Sequence, residues 1–395
     1  MVRLNPLKIR FMQVPPFSLS EQISNLGTDL EEAVLQVLRS GQYIGGAEVK
    51  AFEDAFSTSV ETSHAVGCNS GTDALILALR ALEIGPGDEV ITCSFSFFAT
   101  AEAISAVGAT PVFVDVDPAT YLIDLDQIEA AITPATKALM PVHLFGRPVN
   151  MTRLMAIAEA HCLNVVEDCA QATGARWNGQ PVGSFGDVGC FSFFPTKNLG
   201  AAGDGGAATT NNAGIAQTMR ELAVHGMPQR YLHTALGYNS RLDAIQAAVL
   251  NVKLPRLRGW VERRTEIAAR YREQLADLPG LCLPSSEPGH SWNQFVVRIN
   301  SARDDFKQTL QDSGVNTIIY YPIPIHSQPA YAHLGQAECS LPITEQLCQQ
   351  VLSLPIFPEL SDQQQDIVIA TLLSLLRVKA PTQLTRNGNQ ERMVA

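Results

Sequence analysis

Long apolar runs are missing from this chain. Polar or charged residues interrupt each hydrophobic stretch before it reaches the ~20 residues that a membrane-spanning helix needs. No membrane partner is expected. The N-terminal MVRLNPLKIRFMQVPPF lacks the apolar core of a signal peptide, so the cytoplasm is the expected location. Cations are scarce as well: 28 Lys and Arg stand against 39 Asp and Glu, for a net charge of −11. Phosphate backbones are bound by clustered Lys and Arg, so no nucleic-acid partner is expected. None of the eight cysteines forms a C-x-x-C pair. That speaks against a zinc site and a disulfide framework, and the thiols read as reduced and mostly buried. Internal repeats and low-complexity tracts are absent. What is there is an ordinary globular composition, 46% hydrophobic and 17% charged. At 395 residues the chain suits a large domain plus a smaller one.

The pattern along the chain gives the fold class. Between residues 64 and 210, short apolar runs alternate with helical stretches. AVGCN leads into GTDALILALRAL, and EVITC leads into ATAEAISAVG. PVFVDV, ALMPVH, NVVED, CFSFF and GAATT follow as further strand-like runs. Such alternation indicates βαβ units, hence an α/β fold with a mainly parallel central sheet. Ligands of such sheets sit at the carboxyl ends of the strands, so the loops after Val66, Ile91, Val142, Val166 and Phe194 are the ones to inspect. Upstream, Thr28 and Glu31 have capping-box spacing, and the first dozen residues read as a loose arm. After Arg241 come two long helical stretches, then QFVVRI, DDFKQTLQDSG and NTIIYY as strand, helix and strand. The expected division is a large α/β domain over residues 1–265 and a small C-terminal α+β domain over 266–395. Its tail is expected to be disordered after about residue 380.

Three short segments carry candidate chemistry. Asn69-Ser70-Gly71-Thr72 lies between a strand and a helix. A helix N-terminus offers free N–H groups to a phosphate, although a plain Ser/Thr cap looks the same in sequence. Glu167 and Asp168 end an apolar strand, where an acid binds a ligand or forms a structural ion pair. Lys197 follows FSFFPT and precedes NLGAAGDGG, with aromatic, small or apolar neighbours. A desolvated lysine there loses pKa and becomes a nucleophile for a carbonyl. Gly203-Asp204-Gly205-Gly206-Ala207-Ala208 fits G-x-G-x-x-A, but it precedes a strand-like run, so it is no dinucleotide fingerprint.

The order of these segments closely resembles the DegT/StrS family of nucleotide-sugar aminotransferases, a branch of the fold-type I pyridoxal-phosphate (PLP) enzymes. The resemblance runs from about Gly41 to Pro358. It is carried by CNSGTDALILALRALEIGPGDEVI, VDVDPATYLID, MPVHLFGRPVNM, VVEDCAQATGA, FSFFPTKNLGAAGDGGA, GYNSRLDAIQAA and YYPIPIH. It implies a central sheet with helices on both faces.

It also implies that Lys197 holds PLP and that Asp168 faces the pyridine nitrogen. Gln171 would lie against the ring, and Gly71, Thr72 and Ser192 would bind the phosphate. Phe97 would stack on the ring, with Phe95 and Phe98 close by in sequence. Asn239 would reach the phosphate of the neighbouring subunit's cofactor, so the resemblance implies a homodimer with shared active sites. Tyr321 and His326 would lie near the sugar nucleotide, although His326 also reads as an ordinary hydrogen-bonded loop histidine. His143 reads as structural. No metal is implied. The implied substrates are a nucleotide-linked keto sugar and L-glutamate, with pyridoxamine phosphate formed during turnover. The turn KNLGAAGDGG, with Asp204, leans toward 3-keto over 4-keto sugars. The dehydratase branch carries histidine in place of the lysine, and Lys197 speaks against it. The remaining alternative is a regulatory relative without activity, and the presence of both Lys197 and Asp168 speaks against that.

Overall fold

The computed structural model describes residues 13–300, 302–334 and 340–377. The expected loose arm, the expected disordered tail and Cys339 lie outside the described residues. Among the described residues twelve strands follow in chain order: β1 (His64–Cys68), β2 (Glu89–Cys93), β3 (Thr110–Val114), β4 (Thr136–Leu139), β5 (Asn164–Asp168), β6 (Arg176–Trp177), β7 (Gln180–Pro181), β8 (Val188–Ser192), β9 (Gly206–Thr210), β10 (Leu281–Cys282), β11 (Phe295–Ile299) and β12 (Val351–Leu354).

Seven strands make the central sheet, in the order β1-β9-β8-β5-β4-β2-β3. Only β9 runs against the rest, being antiparallel to both β1 and β8. The sheet is therefore mainly parallel, as the alternating pattern predicts. Both faces are covered, which explains why the strands read as continuous apolar runs. On one face Val66, Val166 and Val188 pack with Leu75, Leu79, Met219 and Leu222, from the helices Gly71–Ala81 and Ala213–Ala223. Toward another, Ile91, Val114 and Val165 pack with Leu154 and Ile157 of the helix Met151–Ala160. A third cluster joins Phe191 and Phe193 to Phe52 and Phe56 of the helix Ala47–Val60.

The local expectations hold with three differences. The run ALMPVH pairs regularly only through Leu139. Pro141 has no N–H to give the ladder, and Val142 keeps a single bridge to Asp168. The helix Ser20–Ser40 begins earlier than the capping-box reading and is interrupted at Gly27 (φ 56°, ψ −138°), so Thr28 opens its second half. The run NTIIYY is not a strand. Ile318 alone bridges to Ser353, and the chain then turns Tyr320 and Tyr321 into the central cavity.

A second sheet, β10-β11-β12, is antiparallel throughout. Its core includes Phe295, Val297, Leu352 and Leu354, with Phe306, Leu310, Val368 and Leu372 from the flanking helices. The expected boundary at 265/266 falls inside the helix Leu257–Gln274. Ile267, Ala268 and Tyr271 of that helix join the second core, whereas Leu257 packs in the Phe52 cluster. Among the described residues no helix is long and apolar enough to cross a membrane.

Candidate active site

The carboxyl ends of β1, β5 and β8 converge on one cavity of about 390 Å³. It gathers Gly71, Thr72, Phe97, Asp168, Gln171, Ser192, Lys197 and Tyr321, which are scattered over 250 positions of the chain (321 − 71).

The floor begins where β1 turns into the helix Gly71–Ala81. Ser70 caps that helix, its Oγ accepting from the Asp73 N–H at 3.1 Å. The cap reading of this turn is met by Ser70. The N–H groups of Gly71 and Thr72, at the positive end of the helix dipole, are left for an anion. Gly71 is required by proximity: a Cβ there would stand 2.7 Å from Ser192 Cβ at the end of β8. Asp73 Oδ2 accepts from the Ser240 hydroxyl at 2.7 Å, tying this helix start to the segment before the helix Ala244–Lys253.

The two acids ending β5 point to opposite sides, as successive strand residues must. Glu167 points away from the cavity. Its oxygens accept N–H groups from Gly183, Phe185 and Gly186 and a bond from His143 Nε2 at 3.0 Å. His143 Nδ1 accepts the Val149 N–H, so Nε2 carries the proton. This buried pair is structural, as expected for His143. Asp168 points into the cavity. Thr100 Oγ1 donates to its Oδ2 at 2.8 Å, and the Ala170 N–H donates to Oδ1 at 3.1 Å. Ser96 and Thr100 hydroxyls lie 2.8 Å apart, extending the chain of bonds. Burial raises the Asp168 pKa against the opposing effects of these bonds and of the Lys197 charge. Asp168 therefore sits where a neighbouring cation is strongly favoured.

Lys197 lies in the turn after β8. Desolvation pushes its ammonium down to about 8, with the Asp168 charge holding it partly up. The neutral amine is then far more accessible near pH 7 than for an exposed lysine. The loop around it is firmly held. Lys253 Nζ donates to the Gly200 carbonyl at 2.8 Å, and Asn198 Oδ1 accepts from Asn293 Nδ2 at 3.0 Å.

The walls are aromatic and amide. Of the three neighbouring phenylalanines, Phe97 faces the cavity. Phe95 is buried against Tyr121 and Phe145, and Phe98 packs on Tyr331. Phe97 is 57% exposed, with its ring centroid 6.0 Å from that of Tyr321. Gln171 is held at both ends, its Oε1 accepting the Phe145 N–H at 2.7 Å and its Nε2 donating to Tyr321 Oη at 2.8 Å. Burial raises the Tyr321 pKa, keeping the phenol protonated.

Two expected residues are not in this cavity. His326 is buried, its Nδ1 2.7 Å from Ser94 Oγ and its Nε2 3.7 Å from Glu345. These contacts are those of a hydrogen-bonded loop histidine, and they keep its ring out of the cavity lining. Asn239 is exposed, with its Oδ1 accepting from Arg241 Nη2 at 2.6 Å. The structure adds Ser96, Thr100, Gln294 and Tyr320 to the lining. Thr100 lies one helical turn beyond Phe97, but nothing in the local sequence marks its bond to Asp168. Gln294 precedes a strand far along the chain and carries no motif.

A desolvated lysine and a buried acid, brought together at the carboxyl edge of a largely parallel sheet beside a helix N-terminus, suit amine–carbonyl chemistry on a phosphate-bearing group. The chain belongs to the DegT/DnrJ/EryC1/StrS aminotransferase family, whose profile matches residues 24–373. It is similar to the UDP-N-acetyl-3-dehydro-α-D-glucosamine 3-aminotransferase of Acidithiobacillus ferrooxidans, with 49% identity over 92% of this chain and 97% of the relative. A relative in Geobacillus stearothermophilus, named a pleiotropic regulatory protein, is 45% identical over 93% of this chain and 99% of its own. Among solved structures, Streptomyces venezuelae DesV in complex with a ketimine intermediate is 45% identical. It covers 92% of this chain and 99% of its own, with a TM-score of 0.90.

Proposed function

We propose that this enzyme moves an amino group from L-glutamate to the keto carbon of a nucleotide-linked sugar, using PLP, and that the keto group is at C3. The observation that carries the reading is the convergence of a lysine with a lowered pKa, a buried acid and a free helix N-terminus on one cavity. Those residues fit the cofactor. Gly71 leaves room at the helix start that a Cβ would fill, and Asp168 lies where a protonated ring nitrogen is favoured. Asp204 of the KNLGAAGDGG turn lines the same cavity, in keeping with the lean toward 3-keto sugars, and the Acidithiobacillus relative is named for a 3-dehydro sugar.

PLP, when bound, supplies an aldehyde carbon that condenses with amines and a ring that draws electrons. The N–H groups of Gly71 and Thr72, with the Ser192 hydroxyl, would hold its phosphate. Phe97 would cover one face of the ring. Gln171, fixed by Phe145 and Tyr321, would have one N–H left for the ring or its hydroxyl. Asp168 would keep the ring nitrogen protonated, and Thr100 fixes the carboxylate that would do so. Lys197 Nζ, its ammonium destabilised by burial, would hold the aldehyde carbon of the cofactor. Its amine, when free, would take the Cα proton of the donor as base and return it as acid. With donor and sugar using the site in turn, ping-pong kinetics would be expected.

The reading includes a homodimer in the cytoplasm and two domains, residues 1–265 and 266–395. The exposed Asn239 supports a shared site, as do the exposed apolar side chains Leu232 and Leu236 nearby and Leu35, Leu38 and Ile44 at the other end of the chain. A purely regulatory role would have no use for the desolvated lysine. The test is an absorbance scan of purified protein near the visible edge, before and after borohydride, followed by glutamate and a panel of nucleotide-linked keto sugars. A borohydride-sensitive band and amination of a 3-keto member are expected. Absence of any cofactor band would overturn the reading.

A further inference from the structure

Gln294 reaches the active cavity from just before β11 and lines it together with Lys197, Asp168 and Tyr321. Its side-chain oxygen is buried and has no hydrogen-bond partner. Behind it is a recess of about 10 Å³ that Arg147 also lines. That space is at the lower limit for a water molecule. Arg147 Nε is likewise buried and unpartnered. Its other nitrogens are engaged, with Glu287 and with the Ala119 carbonyl. A lone acceptor and a lone donor thus line one recess, and an unpaired polar atom is costly to bury. An amide whose carbonyl end turned toward Arg147 would satisfy both atoms and leave its NH₂ end for the active cavity.

The backbone that presents this amide is in fixed register with the catalytic lysine. The Gln294 N–H donates to the Phe145 carbonyl at 3.3 Å. Arg264 Nη1 donates to the carbonyls of Trp292 and Asn293. Asn293 donates to Asn198, the residue after Lys197. With its oxygen turned to Arg147, the amide would have two N–H groups to offer and no free acceptor.

We propose that Gln294 is a further substrate-binding residue, whose side-chain N–H donates to an oxygen of the substrate held beside Lys197. This rests on the aminotransferase reaction proposed above. The oxygen belongs to the carboxylate of the amino donor or to the sugar, and the two half-reactions tell them apart. In the first, L-glutamate is titrated against the PLP form of the holoenzyme. In the second, a nucleotide-linked 3-keto sugar is titrated against the pyridoxamine form, both followed by cofactor absorbance.

Gln294→Met keeps the length and removes the donor. It is expected to raise the half-saturating concentration in one half-reaction about tenfold, the worth of one hydrogen bond. The limiting rate should stay within about twofold. Gln294→Glu replaces the donor by an acceptor and should raise that concentration further. A rise confined to glutamate assigns the donor carboxylate, and a rise confined to the sugar assigns a sugar oxygen. PLP affinity of both variants should equal that of the wild type. The proposal is overturned if both variants bind both substrates as the wild type does, if Gln294→Glu binds better than Gln294→Met, or if PLP binding itself weakens. A wild-type protein that takes up no PLP would instead overturn the proposed function.

Discussion

Lys197 and Asp168 set each other's charge, and that makes pH a probe of the pair. Burial lowers the Lys197 pKa to about 8, and the Asp168 charge raises it. The nucleophile is the neutral amine, so the rate at which apo-enzyme takes up PLP should rise with pH and level off above about 8. An exposed lysine would still be gaining at pH 10. Asp168→Asn removes the charge that favours the ammonium, so the plateau should begin at lower pH in that variant. The same variant should still bind PLP yet lose most of its transamination activity, since the ring nitrogen is no longer held protonated. Stopped-flow absorbance across pH 6–10, about the range these shifts span, reads both effects. A plateau unmoved by Asp168→Asn would show that the two groups are not coupled. At this scale the sequence was partly legible. Asp168 and Lys197 stand out because an acid at a strand end and a lone lysine among aromatics are unusual. Thr100 does not, because its bond to Asp168 crosses 68 residues. His326 could not be placed from sequence, because YPIPIH marks a loop near the cavity without showing that its histidine bonds Ser94.

The junction of the β1 turn with the end of β8 forms the phosphate cradle at the scale of elements. Gly71 and Ser192 meet so closely that Gly71→Ala must push the two apart. That variant should lose about 1–3 kcal/mol of stability from overpacking and bind PLP at least tenfold more weakly. Gly71→Ala with Ser192→Gly removes the colliding Cβ and should recover much of the stability while PLP stays weak, since the hydroxyl is gone. Thermal unfolding and PLP titration check the pair, and a double variant no more stable than Gly71→Ala would show that the contact is not the cause. Periodicity revealed most elements here. Strands buried on both faces read as apolar runs, and the helices between them repeat at helical spacing. It failed where a tertiary contact decides. NTIIYY has strand composition, yet only Ile318 finds a partner in β12 before the chain turns toward the cavity. ALMPVH loses its ladder to one proline.

The proposed shared site gives the whole molecule a distinctive behaviour in mixtures. Lys197→Ala is expected to be dead, and Asn239→Phe to be impaired by blocking the partner's phosphate site. In a mixed dimer both lesions fall in one site and the other stays intact. Random pairing then restores about a quarter of the wild-type activity. If Asn239 serves only its own subunit, no site in the mixture is undamaged and activity does not recover. Size-exclusion chromatography comes first, because an active monomer would rule the shared site out. The central claim is that this chain carries amino groups through a cofactor held by Lys197. One sequential experiment on purified holoenzyme tests it most directly. L-Glutamate alone should convert the PLP absorbance fully to the pyridoxamine form with release of one 2-oxoglutarate per site. After removal of glutamate, a nucleotide-linked 3-keto sugar should restore the PLP absorbance and yield the 3-amino sugar. Lys197→Ala should do neither. A wild-type protein whose cofactor spectrum is unchanged by glutamate, or a Lys197→Ala variant that completes the cycle at the wild-type rate, would contradict the account.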